Sequence, residues 1–337
     1  MEQKGTPLRA IIIPYYLLNE LSETPHFSHI QPIIFRGNFR VLLYKSRKVC
    51  YNKMNIYIQP RGNPMFLCDY HTHTRFSFDG DPAATHDAMC RRALEVGLSD
   101  IAFTDHCDVN GEAEKLYNFP FDPDGAWNAM MEVKEKYKGR LNVVCGIELG
   151  NATQYPEAAR AVLEAHPYEF VIGSLHNLKN VPDFCLMNYG HMSDGLIKQL
   201  FDRSLDETLE MVKFEGITTL GHLTYMHRYI TLAGKKLDFK PYYDKITAVY
   251  DELIRRDVAL EINVSTLWKG LGISMPTMEL LKLYKDCGGR LITVGSDAHA
   301  PENLGKAIRK GYAILETVGF HEVLTVQNGQ KVLQSIQ

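Results

Sequence analysis

The sequence predicts an α/β fold of seven βα units around a parallel sheet, and three observations carry that expectation. From Met65 onward, short apolar segments alternate with amphipathic ones, the pattern of parallel strands joined by helical crossovers. The helical segments carry punctuation: Asp124 and Ser193 stand where N-caps belong, and Gly288-Gly289 follows the last turn of a helix. Nearly every strand candidate ends in a residue able to bind a metal ion. Periodicity alone does not separate a closed barrel from a doubly wound sheet, but polar residues at the carboxyl ends of strands fall where parallel α/β barrels place their active sites.

Taken in order, the strand candidates are residues 66–71, 100–104, 142–149, 170–175, 218–223, 258–264 and 290–295. The helix candidates lie near 85–97, 124–137, 156–165, 194–214, 241–256, 276–286 and 302–317. A chain of 337 residues, 45% hydrophobic and 23% charged, can bury a full core, and α/β barrels use that length as one unit.

Charge is unevenly spread. Residues 1–64 hold nine Lys/Arg against three Asp/Glu, and the remainder 28 against 37. The stretch 10–18 is apolar but broken by Pro14, with no clear small-residue cleavage site after it, which disfavours a secretory signal. We therefore expect 1–64 to be an extension outside the main fold and 65–337 to be the barrel, with Met65 a natural start just before the first strand. The net charge of −3 gives no global reason to expect nucleic acid or a membrane surface. A small substrate suits it better. Seven cysteines occur singly, without a C-x-x-C pair, which suits a reducing cytoplasm, and no apolar run approaches the ~20 residues of a membrane span.

The strand endings are His71-Thr72-His73, Thr104-Asp105-His106, Gly146-Ile147-Glu148, Ser174-Leu175-His176, Gly221-His222 and Ser296-Asp297-Ala298-His299. Residues i and i+2 of an extended segment share a side, so His71 with His73, and Asp297 with His299, can each grip one ion. Imidazole with carboxylate suits Zn²⁺, Mn²⁺ or Fe²⁺, and the lack of cysteine in the set argues for an open catalytic site over a structural zinc knot. Any one of these pairs is a weak signal, since exposed histidines and capping carboxylates are common. Six strand ends in one phase would need six independent accidents. His26, His29, His86, His166, His191 and His321 have no such setting and read as structural or surface residues; His227, in the loop after His222 beside Arg228, is a closer case.

In the motifs H-T-H, T-D-H, S-L-H and S-D-A-H the chain resembles the polymerase-and-histidinol-phosphatase (PHP) superfamily over about residues 65–320. The longer strings H-T-H-T-R-F-S-F-D-G, I-G-S-L-H and L-I-T-V-G-S-D-A-H resemble its histidinol-phosphatase branch. The resemblance implies a distorted TIM-like (β/α)7 barrel with a cluster of three divalent metal ions at the carboxyl ends of the strands. It implies a first ion on His71, His73, Glu148 and Asp297, a second on Glu148, His176 and His222, and a third on Asp79, His106 and His299. Glu148, Asp297 and His299 are the expected catalytic residues. Residues 1–64 match nothing in the family pattern.

The resemblance further implies hydrolysis of a small phosphate monoester, L-histidinol phosphate above others, by a cytoplasmic monomer or homodimer. Arg160, Lys179 and Arg228 are candidate phosphate contacts, although exposed basic residues are more often solvated surface. Asp105 is expected to accept from a ligand histidine and set its tautomer. Two other readings remain open: a relative acting on nucleotides, single-stranded nucleic acid or phosphotyrosine, and a metal-binding sensor without turnover. The acidic balance after Met65 weighs against the first, and the complete ligand set against the second.

Overall fold

The structure, a computed structural model, describes residues 65–114 and 121–337 together with three short strands near the amino end. These strands, β1 (Arg9–Ile11), β2 (Gln31–Ile34) and β3 (Arg40–Tyr44), form an antiparallel sheet in the order β1-β3-β2. Residues 1–65 and 66–337 are separate compact units. The expectations that rest on side chains of 1–64, including His26 and His29, lie outside the described residues.

The second unit is a parallel barrel. Its strands are β4 (Cys68–Asp69), β5 (Asp100–Phe103), β6 (His106–Asp108), β7 (Asn142–Gly150), β8 (Phe170–Ser174), β9 (Thr219–Leu220), β10 (Ala259–Asn263) and β11 (Ile292–Gly295). Seven of them neighbour one another in chain order, with β6 pairing β7 off that path. β6 keeps the register of β5, since Phe103 faces Cys145 and His106 faces Glu148; Thr104 and Asp105 only interrupt one continuous edge. The first and last strands meet through Tyr70 N to Val294 O (2.9 Å), Asp297 N to His71 O (2.9 Å) and His73 N to Ala298 O (2.8 Å). Those bonds close the ring.

Both faces of the strands are covered, as a parallel sheet requires: Ile101, Phe103, Ile147, Phe170, Ile172, Leu260, Ile262 and Val294 are fully buried. The surrounding helices present one apolar stripe each. In the helix Tyr243–Arg255 the buried residues are Ile246, Val249, Tyr250 and Leu253, at the three- and four-residue spacing of a core-facing stripe. Ser193 caps its helix through Leu196 N, as expected. Asp124 does not cap; the N-cap is Asp122, which accepts from Gly125 N, because Pro123 takes the first helical position that its fixed φ favours.

Besides β6 and two short helices, Val109–Glu114 and Ser265–Trp268, a further helix and a hairpin are additional to the expected elements. A helix spans Tyr225–Leu232 after β9. The chain ends in a hairpin of β12 (Glu322–Gln327) and β13 (Gln330–Ser335), packed at the amino pole of the barrel, where Val326 N donates to Tyr70 Oη (2.7 Å) and Asn142 Nδ2 to Val326 O (2.9 Å).

Candidate metal centre

Nine expected ligand residues converge at the carboxyl pole. Glu148 is at their centre, completely buried on β7. Its Oε1 accepts from Ser174 Oγ (2.6 Å) and lies 2.9 Å from His222 Nε2 and 3.3 Å from His176 Nε2. Its Oε2 faces the other way, 2.6 Å from His106 Nδ1, 3.4 Å from His71 Nε2 and 3.7 Å from His73 Nε2. One carboxylate thus looks into two sets of imidazoles. Asp297 Oδ1 is 3.5 Å from His73 Nε2, and Asp79 joins His299 Nε2 (3.1 Å) to His106 Nε2 (3.7 Å). The His73 ring is stacked between those of His106 and His299, at 4.1 and 4.0 Å. Exposure rises across the cluster, from 0% for the Glu148 side chain to 24% for His299 and 45% for Asp79, so the centre opens on the Asp79 side.

Local backbone explains how a loop carboxylate reaches that position. A Cβ on Gly80 would lie 1.8 Å from Thr74 O, so only glycine lets the loop fold tightly back after Asp79. On the opposite rim Asp297 adopts φ 55°, a left-handed conformation that non-glycine residues hold mainly at functional sites. Buried Asp69 secures that segment by accepting from Ser296 N (2.8 Å), Ser296 Oγ (2.5 Å) and Gly305 N (3.0 Å); burial still pushes its carboxyl up to about 6 against those bonds.

Whether a metal fits can be read from the imidazole tautomers. Glu261 Oε1 accepts from His71 Nδ1 (2.7 Å), Asp108 from His176 Nδ1 (2.9 Å), and the carbonyl of Asp297 from His299 Nδ1 (3.1 Å). Ser77 gives its only hydroxyl proton to Asp105 Oδ1 (2.7 Å), so it must accept from His73 Nδ1 (3.1 Å). In all four rings Nδ1 is taken up by its partner, which leaves Nε2 as the nitrogen turned to the centre, the atom a metal ion would take. The Nε2 atoms of His71, His73 and His299, with His106 Nδ1 and Glu148 Oε2, are buried and make no hydrogen bond. Such omissions are costly in a core unless a cation answers them. The donor set fits divalent ions.

The electrostatics agree. Burial would raise the Glu148 carboxyl, yet His106, His71 and His176 around it hold it well below the usual range. His106 is driven up to about 9, with burial opposing and Glu148 and Asp79 prevailing. Asp79 is held low against burial by the His299 imidazole 3.1 Å away and the charge of His106.

Other expectations need correction. Asp105 does not touch a ligand histidine; its carboxylate takes Thr74 N, Thr74 Oγ1 and Ser77 Oγ, and it reaches His73 only through Ser77. Arg160 lies over the Phe214 ring (5.8 Å), in a cleft lined by Thr153, Glu207 and Lys213 with no cluster residue. Lys179 lies over Tyr155 (5.5 Å). For Arg228 the link to the centre is electrostatic: desolvation pulls the Lys269 ammonium down, Asp297 opposes and Arg228 adds to the fall. His227 packs on Phe239 (4.8 Å), while His86 is, as expected, a structural residue, buried against Phe103 (4.5 Å).

Sequence reasoning missed Lys269, Asp108 and Glu261. Asp108 had a signal, being two residues after His106 in an extended segment and so on its side. Glu261 had another, a lone carboxylate inside the apolar strand Ala259–Asn263.

The fold and site define a parallel α/β barrel with several groups of histidines and carboxylates able to hold metal ions at its carboxyl pole. More particularly, the chain belongs to the PHP domain family, whose model matches residues 69–265. It is 26% identical over 266 residues to the histidinol-phosphatase of Lactococcus lactis, covering 78% of this chain and 95% of that protein. It is 29% identical over 269 residues to a Thermotoga maritima protein named "Probable histidinol-phosphatase", covering 79% and 98%. The fold is similar to that of the Lactococcus lactis histidinol phosphate phosphatase solved with zinc, L-histidinol and phosphate, with a TM-score of 0.65 at 22% identity over 79% of this chain and 98% of that one.

Proposed function

We propose that the chain is a metal-dependent phosphoric monoester hydrolase that converts L-histidinol phosphate to L-histidinol and inorganic phosphate. The observation that carries the chemistry is the set of buried nitrogen and oxygen atoms around Glu148 that make no hydrogen bond. The names of the relatives supply the substrate.

We assign three divalent ions of zinc, manganese or iron, the first to His71, His73, Glu148 and Asp297, the second to Glu148, His176 and His222, the third to Asp79, His106 and His299. When bound, such ions supply Lewis acidity toward phosphoryl oxygens and make water acidic enough to act near neutral pH. The chain's part is placement. Glu148 fixes two ligand sets relative to each other, Asp297 and His299 present donors at the open side, and Arg228 with Lys269 adds positive charge at the rim for an anionic group. Burial of the inner ligands excludes bulk water and strengthens each of these interactions.

Phosphate release from L-histidinol phosphate, measured beside sugar phosphates, nucleotides, single-stranded oligonucleotides and phosphotyrosine peptides, tests the proposal. A clear preference for L-histidinol phosphate is the expected result. Preference for another ester would overturn the substrate, and no release from any ester by zinc-, manganese- or iron-loaded protein would overturn the enzyme. No described helix is long and apolar enough to cross a membrane, and the described cysteines are all free, in keeping with a cytoplasmic enzyme. We also place the whole activity in residues 65–337. A chain beginning at Met65 should keep the melting temperature and specific activity of the full chain; loss of either would assign 1–64 a part in the working protein.

A further inference from the structure

β10 is the strand without a proposed metal ligand, yet it runs between β9, which leads to His222, and β11, which leads to Asp297. Two of its side chains point into the centre. The β9–β10 ladder pairs only Thr219 with Ala259 and Leu220 with Leu260. One residue beyond, the side chain of Glu261 takes over: its Oε2 accepts from His222 N (2.6 Å) while Oε1 accepts from His71 Nδ1 (2.7 Å). Both acceptors of one carboxylate, 1% exposed, are committed to ligands on two different strands. Gly295 makes room for this, since a Cβ there would lie 2.2 Å from His71 Cβ and 2.5 Å from Glu261 Oε1.

Asn263 stands two residues further, on the same side of the strand. Its orientation is determined, because Oδ1 accepts from Ser265 N (3.0 Å) and Ser265 Oγ (2.7 Å). The amide nitrogen must therefore face the two carboxylates it approaches, Asp297 Oδ2 (3.4 Å) and Glu261 Oε1 (3.5 Å). A chain of contacts runs from His222 through Glu261 to His71, and through Asn263 to Asp297.

We propose that β10 is the frame of the metal centre: Glu261 and Asn263 are positioning residues that hold His71, His222 and Asp297 in one mutual geometry, so that the ions on the two sides of Glu148 are retained together. This rests on the metal-centre reading above. Its consequence is specific, since a residue serving a single ligand would affect a single ion, whereas Glu261 joins a ligand of the first ion to a ligand of the second.

Glu261→Gln tests it. The amide has one acceptor oxygen for two donors, so it must fail either His71 or His222 and turn an N–H toward an N–H. Zinc retained per chain would be measured against graded chelator, with the melting curve as a control for folding. We expect Glu261→Gln to release two ions together at about 10–100-fold lower chelator than the unaltered protein, the scale of outer-shell losses in metal sites, and excess zinc to restore much of kcat. Asn263→Ala should weaken one ion, that on Asp297. Release of only one ion by Glu261→Gln, or unaltered release, overturns the proposal. If Glu261→Gln does not fold, Asn263→Ala decides, and its unaltered zinc release overturns the proposal. Unaltered protein that binds no zinc, manganese or iron would instead overturn the metal-centre reading itself.

Discussion

The two ends of the barrel treat buried polar groups in opposite ways. At the amino pole Asp100, 2% exposed, receives three donors on one oxygen: Tyr70 Oη (3.1 Å), Asn142 Nδ2 (2.9 Å) and Gln327 Nε2 (2.6 Å). Tyr70 and Asn142 also bond the hairpin at Val326. At the carboxyl pole Glu148 is equally buried, but one of its oxygens and the imidazole nitrogens facing it have no hydrogen bond. The first network is closed and joins elements of the fold. The second leaves open donors and acceptors that cations would satisfy, and what a core leaves open in this way points to its function.

The sharpest test of that contrast is Glu148→Gln, which keeps the shape and removes the charge that two ligand sets share. Turnover should fall by roughly a thousandfold or more, the scale on which lost charge stabilisation acts in an active site. Metal content should fall with it, and the circular dichroism spectrum should stay that of the parent. Near-normal turnover with full metal content would reduce Glu148 to a core carboxylate and end the comparison.

Asp79→Ala should act in the same direction and less strongly. Asp79 is the exposed edge of the cluster and, among the described residues, pairs with His106 and His299, so its loss should remove about one ion per chain and lower turnover by at least roughly tenfold, leaving the inner ions in place. Elemental analysis after removal of loosely held ions, with kinetics on the same samples, gives the result. Unchanged stoichiometry and kinetics would return Asp79 to a turn residue before Gly80.

The difference between the poles also decided what could be read from sequence. Ligand chemistry admits few residue types, and a strand-end position is easy to recognise, so the meeting of His71, His73, His106, Glu148, His176, His222, Asp297 and His299 at one pole was legible as a candidate site. Partners that act from mid-strand were not, because Glu261 breaks an apolar pattern without ending a strand. Arg160 misled because a helix position does not say which way a long side chain turns. The hairpin was legible and went unread: Asn328-Gly329 between alternating apolar residues has φ of 52° and 73°, the paired left-handed residues of a tight hairpin turn. β6 was hidden by Thr104 and Asp105, and only its register with β7 shows it to be the continuation of β5.

Asp100→Asn should have the smallest effect on catalysis and test the other side of the comparison. Burial pushes the Asp100 carboxyl up from 3.8 to about 6, with the three donors opposing. A carboxyl raised on folding binds its proton more tightly in the native state, so between pH 4 and 6 the folded chain holds more protons than the unfolded one. Stability from this group is therefore present below its unfolded value and is lost as pH rises through about 6. A shift of about two units corresponds to roughly 3 kcal/mol once the carboxylate is fully ionised. Asparagine keeps an oxygen for the donors and has no charge to desolvate. Melting curves of Asp100→Asn should lose this part of the pH slope and, at pH 8, match or exceed those of the parent, with kcat and metal content unchanged because the network lies at the far end of the strands. A fall in kcat comparable to that of Asp79→Ala would mean that the closed pole takes part in positioning the open one, and that the division drawn here between structure and site is too sharp.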